Sequence, residues 1–238
     1  MEEYQSLIQV IALTMGVAWA SGINLYATVA VLGLAGSSGY IDLPPTLSVV
    51  QDPLVILAAG FMYCVEFFAD KTPGVDTGWD AIHTFIRIPA GAMLAAGAVG
   101  DVTPAMAVAA GLLGGSVTAA THATKAGSRV MINTSPEPFS NWGASIIEDL
   151  AVFAGLWAAL THPVLFLIAF VAFIALVIWL LPKIFRGIAA VGRKVGGWFG
   201  GKSHQTEATG HDASLRRLLD AGVLNESEYE AARARTLA

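Results

Sequence analysis

Long apolar segments follow one another from Leu7 to Leu181, and the basic side chains between these two residues are Lys71, Arg87, Lys125 and Arg129. About 20 apolar residues in a helix cross the hydrocarbon core of a bilayer. Charged residues make up 13% of this chain, against about 25% of an average soluble domain. The sequence therefore predicts an all-α fold, a polytopic α-helical membrane protein that leaves no room for a large soluble domain.

The predicted membrane domain covers residues 1–182 and contains about six spans. The predicted spans are 7–36, 53–70, 85–100, 105–123, 143–160 and 164–181. The first is longer than one span needs and contains Ser21-Gly22-Ile23-Asn24, so it is either one tilted helix or a helix broken near Gly22. This segment and the short third one either span or re-enter. The stretches 71–84 and 125–142 are predicted to be polar loops with proline and glycine.

Basic residues are distributed unevenly between alternate loops. The segments on one side carry Asp42, Asp52 and Asp101 and no Lys or Arg. The other side has Lys71, Arg87, Lys125 and Arg129, and further basic residues follow the last span. Because cytoplasmic loops are enriched in Lys and Arg, we expect a multi-pass membrane protein with both termini in the cytoplasm.

Three short segments follow the last span. Residues 183–199 have a basic face and an apolar face, which predicts an amphipathic helix on the membrane surface or a cytosolic extension of the sixth helix. Residues 200–211 are predicted to be a linker, and 212–238 a small cytoplasmic helical hairpin. In this hairpin Gly222 ends the first helix and Asn225 begins the cap of the second.

Acidic side chains in or near predicted spans are the main candidates for a site. Glu66 and Asp70 are four residues apart and share a helix face, and Glu148 and Asp149 lie in the fifth span. A charged residue at a helix centre costs roughly 2.5–3.5 kcal/mol on insertion scales. Three interpretations remain open: a site for a divalent cation or a proton relay, catalysis, or ion pairs with Lys71, Arg87 or Lys125.

Other polar residues extend this candidate site. Asp76 and Asp80 repeat the four-residue spacing, and His83 continues the same stripe if this stretch is helical. Lys71, Arg87, Lys125 and Arg129 form a basic set. This set is predicted either to contact lipid headgroups or to form an anion site around Arg87. Asn24 either coordinates an ion at a helix break or donates a hydrogen bond between helices. The remaining candidates in the polar segments are Lys71, Glu137 and Asn141.

Two resemblances cover most of the chain. The segments ASGINLY (20–26), EFFADKTPGVD (66–76), HTFIR (83–87), PAG (89–91) and SPEPFSNW (135–142) resemble a family of uncharacterised bacterial membrane proteins, the domain of unknown function DUF4126. This resemblance implies a membrane fold, a location in the bacterial inner (plasma) membrane and no particular activity. The segment LLDAGVLNESEYEAARARTL (218–237) is similar to the short C-terminal domain called SHOCT, which implies a role in oligomerisation or protein contacts.

Composition limits the possible functions. The net charge of −5 argues against a nucleic-acid partner, and the single cysteine, Cys64, excludes an internal disulfide. No cofactor is predicted, although a bound cation is left open. We therefore expect a transporter or channel for an ion or small solute. The alternatives are a metal-dependent enzyme acting on a phosphorylated lipid and an oligomeric scaffold. The expected partners are membrane lipid, further copies of the chain and a cytoplasmic protein bound by the tail.

Overall fold

The computed structural model describes residues 2–134, 138–200 and 214–236, and all regular structure in these ranges is helical. The helices of the apolar region are α1 (Glu2–Ile23), α2 (Leu25–Ser37), a 3-10 helix (Pro45–Gln51), α3 (Pro53–Ala69), α4 (Val75–Ala98), α5 (Pro104–Ile132), α6 (Pro138–Thr161) and α7 (Pro163–Gly200). The tail contains α8, which includes residues 214–220, and α9 (Glu226–Thr236). The predicted all-α fold is confirmed.

Five of these helices are long and apolar enough to cross a membrane: α1, α4, α5, α6 and α7. The 3-10 helix and α3 form a sixth candidate span, bent by 63° at the junction between them. Asp52 lies at this bend and caps α3, because its carboxylate accepts the backbone N–H of Leu54 at 2.8 Å. The chain is therefore a multi-pass membrane protein, as its composition predicts.

The first apolar segment is a helix hairpin broken at Asn24. This residue has an extended backbone (φ −146°, ψ 99°) between α1 and α2. Its side-chain oxygen accepts the N–H of Ala27 at 2.9 Å, which caps α2 without an intervening loop. Since α2 has 13 residues, it extends roughly 20 Å, too short for a bilayer core of about 30 Å.

The start of α1 and the end of α2, the two arms of this hairpin, lie near each other. Ser6 and Gln9 of α1 line a shared cavity with Asp42 and Leu160, and Gly33 of α2 lies against Ile56, near the start of α3. The chain thus runs along α1 to Asn24 and returns along α2. Helices α1, α3 and α5 finish at one end of the bundle, and α4 and α6 begin there. We call this end the polar end.

The position of α1 corrects the predicted topology. Its N-terminal residues lie at the end opposite the polar end, whereas the prediction puts the N-terminus and the polar segments on the same side of the membrane. The reason is the reversal at Asn24: α2 returns to the end where α1 begins, so α3 runs in the same direction as α1, which hydropathy alone does not reveal. The start of α1 therefore lies at the end opposite the polar segments, and α1 is long and apolar enough to span.

The predicted polar loops are largely helical, which is a second correction. Helix α4 begins at Val75, ten residues before the predicted third span, and α5 continues to Ile132. Asp76 explains the early start of α4, because its carboxylate accepts the N–H groups of Gly74 at 2.8 Å and Thr77 at 2.6 Å. The helix that contains the third segment is accordingly long and apolar enough to cross a membrane, although Pro89 lies inside it.

Small residues bring α1, α4 and α5 close together. Gly114 of α5 faces Ala95 of α4 so closely that an added Cβ would collide with the alanine side chain. Gly22 of α1 lies against Thr118 and Thr121 of α5 in the same way. Helix α2 packs on α3 instead, and α3 makes few contacts with α4. The bundle therefore combines a tight group of helices, α1, α4 and α5, with a second pair, α2 and α3.

The chain divides into the units Met1–Arg186 and Gly187–Ala238. Helix α7 has the bounds Pro163–Gly200 and contains Pro182. An amphipathic surface helix and a cytosolic extension both stay predictions for residues 183–199. In the tail, Gly222 has φ +67° after α8. Asn225 and Glu228 form a capping box in which each side chain accepts the other's backbone N–H, at 2.9 and 3.0 Å. Most of the predicted linker lies outside the described residues.

Candidate functional site

Four helices bring seven charged side chains together at the polar end. They are Glu66 of α3 and Asp70 at the C-cap of α3, Asp80 and Arg87 of α4, Lys125 and Arg129 of α5, and Glu148 of α6. We call this set the charge cluster. Glu66, Arg87 and Arg129 are fully buried, and 19% of the Glu148 side chain is exposed. The cluster therefore lies inside the protein rather than on a solvated face.

Arg87 connects α4 to α3 and to the end of α1. One guanidinium nitrogen pairs with the Glu66 carboxylate. The other donates to the carbonyl oxygen of Ile23 at 2.9 Å and lies 3.4 Å from the carboxylate of Asp80. Because the side chain is fully buried, these partners replace the water that would otherwise solvate its charge.

Lys125 occupies the middle of the cluster. Its ammonium donates to Asp70 at 2.7 Å, to Glu66 at 3.3 Å and to the carbonyl oxygen of Ile23 at 3.1 Å. The carboxylates of Asp80 and Glu148 both lie 3.8 Å away. One cation thus holds acidic groups of three helices, and its removal would leave several of them uncompensated.

Arg129 closes the cluster toward α6. It donates to the carboxylate of Glu148 at 2.5 Å and to the side-chain oxygen of Asn141 at 2.5 Å. It also donates to the backbone carbonyls of Asn141 at 2.9 Å and Asp70 at 3.2 Å. Asn141, which the sequence proposes as a binding residue, therefore orients a cation of the cluster.

The break after α1 supplies a backbone acceptor to the cluster. In a continuous helix the carbonyl of Ile23 would accept the N–H of Ala27, four residues later. That N–H is instead bound by the side chain of Asn24. The carbonyl of Ile23 is consequently free to accept both Arg87 and Lys125. The break thus places a backbone dipole among buried charges.

Asn24, Asp149 and Lys71 form a neighbouring polar group. The Asn24 amide donates to Asp149 at 3.3 Å, which is the interhelical hydrogen bond that one of the two sequence interpretations proposes. Lys71 donates to the Ser145 hydroxyl and to the Phe67 carbonyl, both at 3.2 Å, and its ammonium lies over the Phe67 ring. Burial lowers the pKa of the Lys71 ammonium, and the nearby carboxylate of Asp149 opposes this shift.

Asp76 and His83 have partners of their own outside the charge cluster. Asn133 of α5 donates to Asp76 at 2.8 Å, besides the two backbone bonds at the start of α4. The His83 ring lies on Trp79, with 4.1 Å between ring centroids, and its Nδ1 is 2.9 Å from the Trp79 carbonyl. Glu137 lies outside the described residues. The spacing of Asp76, Asp80 and His83 therefore does not place them around one common centre.

The outcome for the sequence candidates is mixed. Ion pairing, one of the three interpretations of the acids, is what these side chains adopt, and ligand binding by the same residues stays a prediction. The expectation that the basic set contacts lipid headgroups is wrong for Arg87, Lys125 and Arg129, because all three are buried. The sequence names Lys125 only as a possible ion-pair partner and Arg129 only as a member of the basic set, although their four-residue spacing places them on one face of α5.

Negative charge exceeds positive charge in this region. The carboxylates of Glu66, Asp70, Asp76, Asp80, Glu148 and Asp149 number six, and the cations Lys71, Arg87, Lys125 and Arg129 number four, a surplus of two negative charges when all are ionised. Within the described ranges, Glu66 Oε2, Asp70 Oδ1 and Asp149 Oδ2 are buried without a hydrogen-bond partner. No three His, Cys, Asp or Glu side chains there come close enough together to hold a metal ion.

Comparison with known proteins identifies the family of the chain. The family model described as Domain of unknown function (DUF4126) matches residues 11–183, which include all helices that contribute to the charge cluster. No curated protein and no solved structure matches the chain. Because the match covers well over half of the sequence, the chain belongs to the DUF4126 family.

Proposed function

We propose that this member of the DUF4126 family is a membrane transporter that binds a proton or another cation at the charge cluster. The observation that supports this function is the net negative charge of the cluster, four carboxylates against three cations when all are ionised, together with carboxylate oxygens that have no donor in the described part of the chain. Uncompensated charge at membrane depth costs several kcal/mol. A bound proton or cation removes that cost and is released when the charges rearrange.

The broken first helix supports the same function. Transporters commonly place backbone carbonyls of a discontinuous helix at an ion site, where the freed carbonyl replaces part of the hydration shell. Here the carbonyl of Ile23 lies at the turn between α1 and α2 and accepts two cationic side chains. A transported cation that displaces one of them would meet a carbonyl and a carboxylate together.

Access to the cluster follows from exposure. Glu148 is its most exposed member, at 19% of the side chain, whereas Glu66 and Arg87 are at 0%. We infer that protons reach the cluster from the polar end through Glu148. The positive-inside tendency favours a cytoplasmic polar end in a bacterial inner membrane, which places the start of α1 on the other side.

The decisive experiment measures ion movement by the purified full-length chain in liposomes. A pH-sensitive dye inside the vesicles reports proton movement driven by imposed gradients of H⁺, Na⁺ or K⁺. Wild-type protein should move protons under at least one gradient. Glu66→Gln should reduce this flux to the level of protein-free vesicles, because the carboxylate that binds the cation is then absent.

Folding must be separated from flux in this experiment. Glu66→Gln leaves Arg87 buried without its main partner, which costs about 3–5 kcal/mol. The double variant Glu66→Gln/Arg87→Gln removes both charges and should recover most of that stability while remaining inactive. Asp101→Asn, an exposed acid at the opposite end, is the matched control and should retain wild-type flux. Wild-type flux in the double variant would contradict the proposal.

A further inference from the structure

A groove lies between the α2–α3 pair and α4, on the side of the bundle where α3 and α4 make few contacts. Its volume is about 380 Å³. The lining includes Tyr26 and Val29 of α2, Ala59 and Met62 of α3, and Ala90 and Met93 of α4, and it is apolar apart from the tyrosine hydroxyl. Met93 is 74% exposed, so the groove opens on the outer surface of the bundle.

The groove leads to the charge cluster. On α3, Glu66 follows Met62 by four residues and therefore lies one turn beyond it on the same face. On α4, Arg87 precedes Ala90 by three residues and lies one turn beyond it on the corresponding face. These two charged residues pair with each other. The ion pair is thus the next layer of side chains below the apolar groove.

An aromatic side chain marks the junction between the groove and the cluster. The Tyr26 ring contacts the His83 ring edge to face, with 5.8 Å between centroids. His83 precedes Arg87 by four residues, so Tyr26 lies against the face of α4 that carries Arg87. A ligand in the groove would therefore have apolar walls along its body and an aromatic ring and a carboxylate near its inner end.

We propose that the transported cation is a lipophilic one, a quaternary or protonated centre on an apolar body, which enters from the membrane between α3 and α4. The apolar body would fill the groove, and the positive charge would lie near Glu66 Oε2 and the face of Tyr26. This inference rests on the proposed function and specifies its substrate class.

Three observations favour this class over others. The apolar lining offers a hydrated inorganic ion nothing to replace its water shell. The carboxylate of Glu66, whose Oε2 has no hydrogen-bond donor in the described part of the chain, attracts cations at the inner end and repels anionic amphiphiles. The ring of Tyr26 adds a cation–π contact that a neutral lipid tail cannot use. The volume is within the range of small-molecule sites, about 300–1,000 Å³.

Two probes of the same shape and opposite charge test the inference. Tetraphenylphosphonium and tetraphenylborate are titrated by calorimetry into the full-length chain in detergent, with protein-free micelles as the baseline. We expect tetraphenylphosphonium to bind and tetraphenylborate to bind at least about tenfold more weakly, because charge complementarity discriminates between them. Equal affinities would overturn the proposal and indicate that any apolar body fills the groove.

Substitutions within α3 locate the binding. Met62→Trp fills the groove beside Glu66 and should weaken tetraphenylphosphonium binding about tenfold. Leu57→Trp adds the same side chain at a position that is 71% exposed and does not line the groove, and it should leave affinity unchanged. If Met62→Trp fails to fold, Met93→Trp at the exposed mouth replaces it. Unchanged affinity in the groove variant would overturn the assignment.

Failure of this inference differs from failure of the proposed function. Proton flux that depends on Glu66, without binding of tetraphenylphosphonium, would refute the lipophilic substrate and leave the cation site intact. Binding of the probe without any flux by wild-type protein would refute transport instead. Flux that tetraphenylphosphonium inhibits in the wild type but not in Met62→Trp would support both.

Discussion

Helix α4 meets its neighbours α5 and α3 in two different ways. Against α5 it packs through glycine and alanine, with Gly114 against Ala95 and Gly91 against Thr118. Against α3 it makes few direct contacts, and the two helices are joined at one end by the pair Arg87–Glu66 and separated beyond it by an apolar groove. The same helix is thus fixed on one side and held by a few charges on the other.

The comparison shows which interface can change during function. Contacts between small residues have short range and no alternative partners, so the α4–α5 interface has one packed arrangement. An ion pair exchanges partners when a proton or cation arrives, since each carboxylate accepts either. Movement of the α2–α3 pair relative to α4, about the turn at Asn24, is therefore the natural consequence of a change in the charge cluster.

The largest expected effect comes from removing the central cation of the cluster. Lys125→Met should destabilise the protein by about 3–5 kcal/mol, because Glu66, Asp70 and Asp80 lose a shared partner in a buried setting. Unfolding in detergent with increasing denaturant measures the loss. Lys183→Met, at an exposed position, is the control. A small effect for Lys125→Met would mean that water solvates the cluster and that the ion pairs do not hold α3.

A smaller effect is expected at the tight interface. Gly114→Leu should cost about 1–3 kcal/mol, because the new side chain must separate α4 from α5. Gly60→Leu is the matched control, since an added Cβ there meets nothing within 4 Å. Thermal melting of both variants gives the difference. Equal melting temperatures would remove the distinction between a fixed and a movable side of α4.

The turn between the two regions should show the smallest effect. Asn24→Ala removes the cap of α2 and should cost about 1 kcal/mol, while Asn24→Ser keeps a capping oxygen and should recover most of it. Amide exchange of residues 25–29 measures fraying of α2. If α2 frays equally in both variants, the hydrogen bond to Asp149 rather than the cap fixes this turn.

Most spans were predictable because a bilayer demands about 20 apolar residues per helix, a requirement that is local in sequence. The reversal at Asn24 was not, because it depends on one extended residue between two apolar helices. The sequence does not reveal that α4 starts at Val75, because Pro73 and Gly74 indicate a loop. The hydrogen bonds that Asp76 accepts in the first turn form only once the backbone there is folded.

The sequence identifies the acidic members of the site but not the cations with which they pair. Glu66, Asp70 and Glu148 are conspicuous because acids are costly in a membrane. Which cation each acid meets depends on how α3, α5 and α6 are rotated about their axes, and that rotation is set by packing between helices. The positive-inside rule counts Lys125 and Arg129 among loop residues and carries no information about their burial. The partners expected for the tail, and its resemblance to SHOCT, stay predictions.

The charge cluster also constrains how the chain is made. Its carboxylates on α3 are synthesised before the cations of α5 that neutralise them, so α3 reaches the membrane without its later partners. Helices α4 and α5 are the least apolar of the long candidate spans, whereas α7, which follows them, is the most apolar. Because the charges of α3 are neutralised by helices that follow it in the chain, we expect insertion of α3, α4 and α5 to be cooperative rather than a series of independent steps.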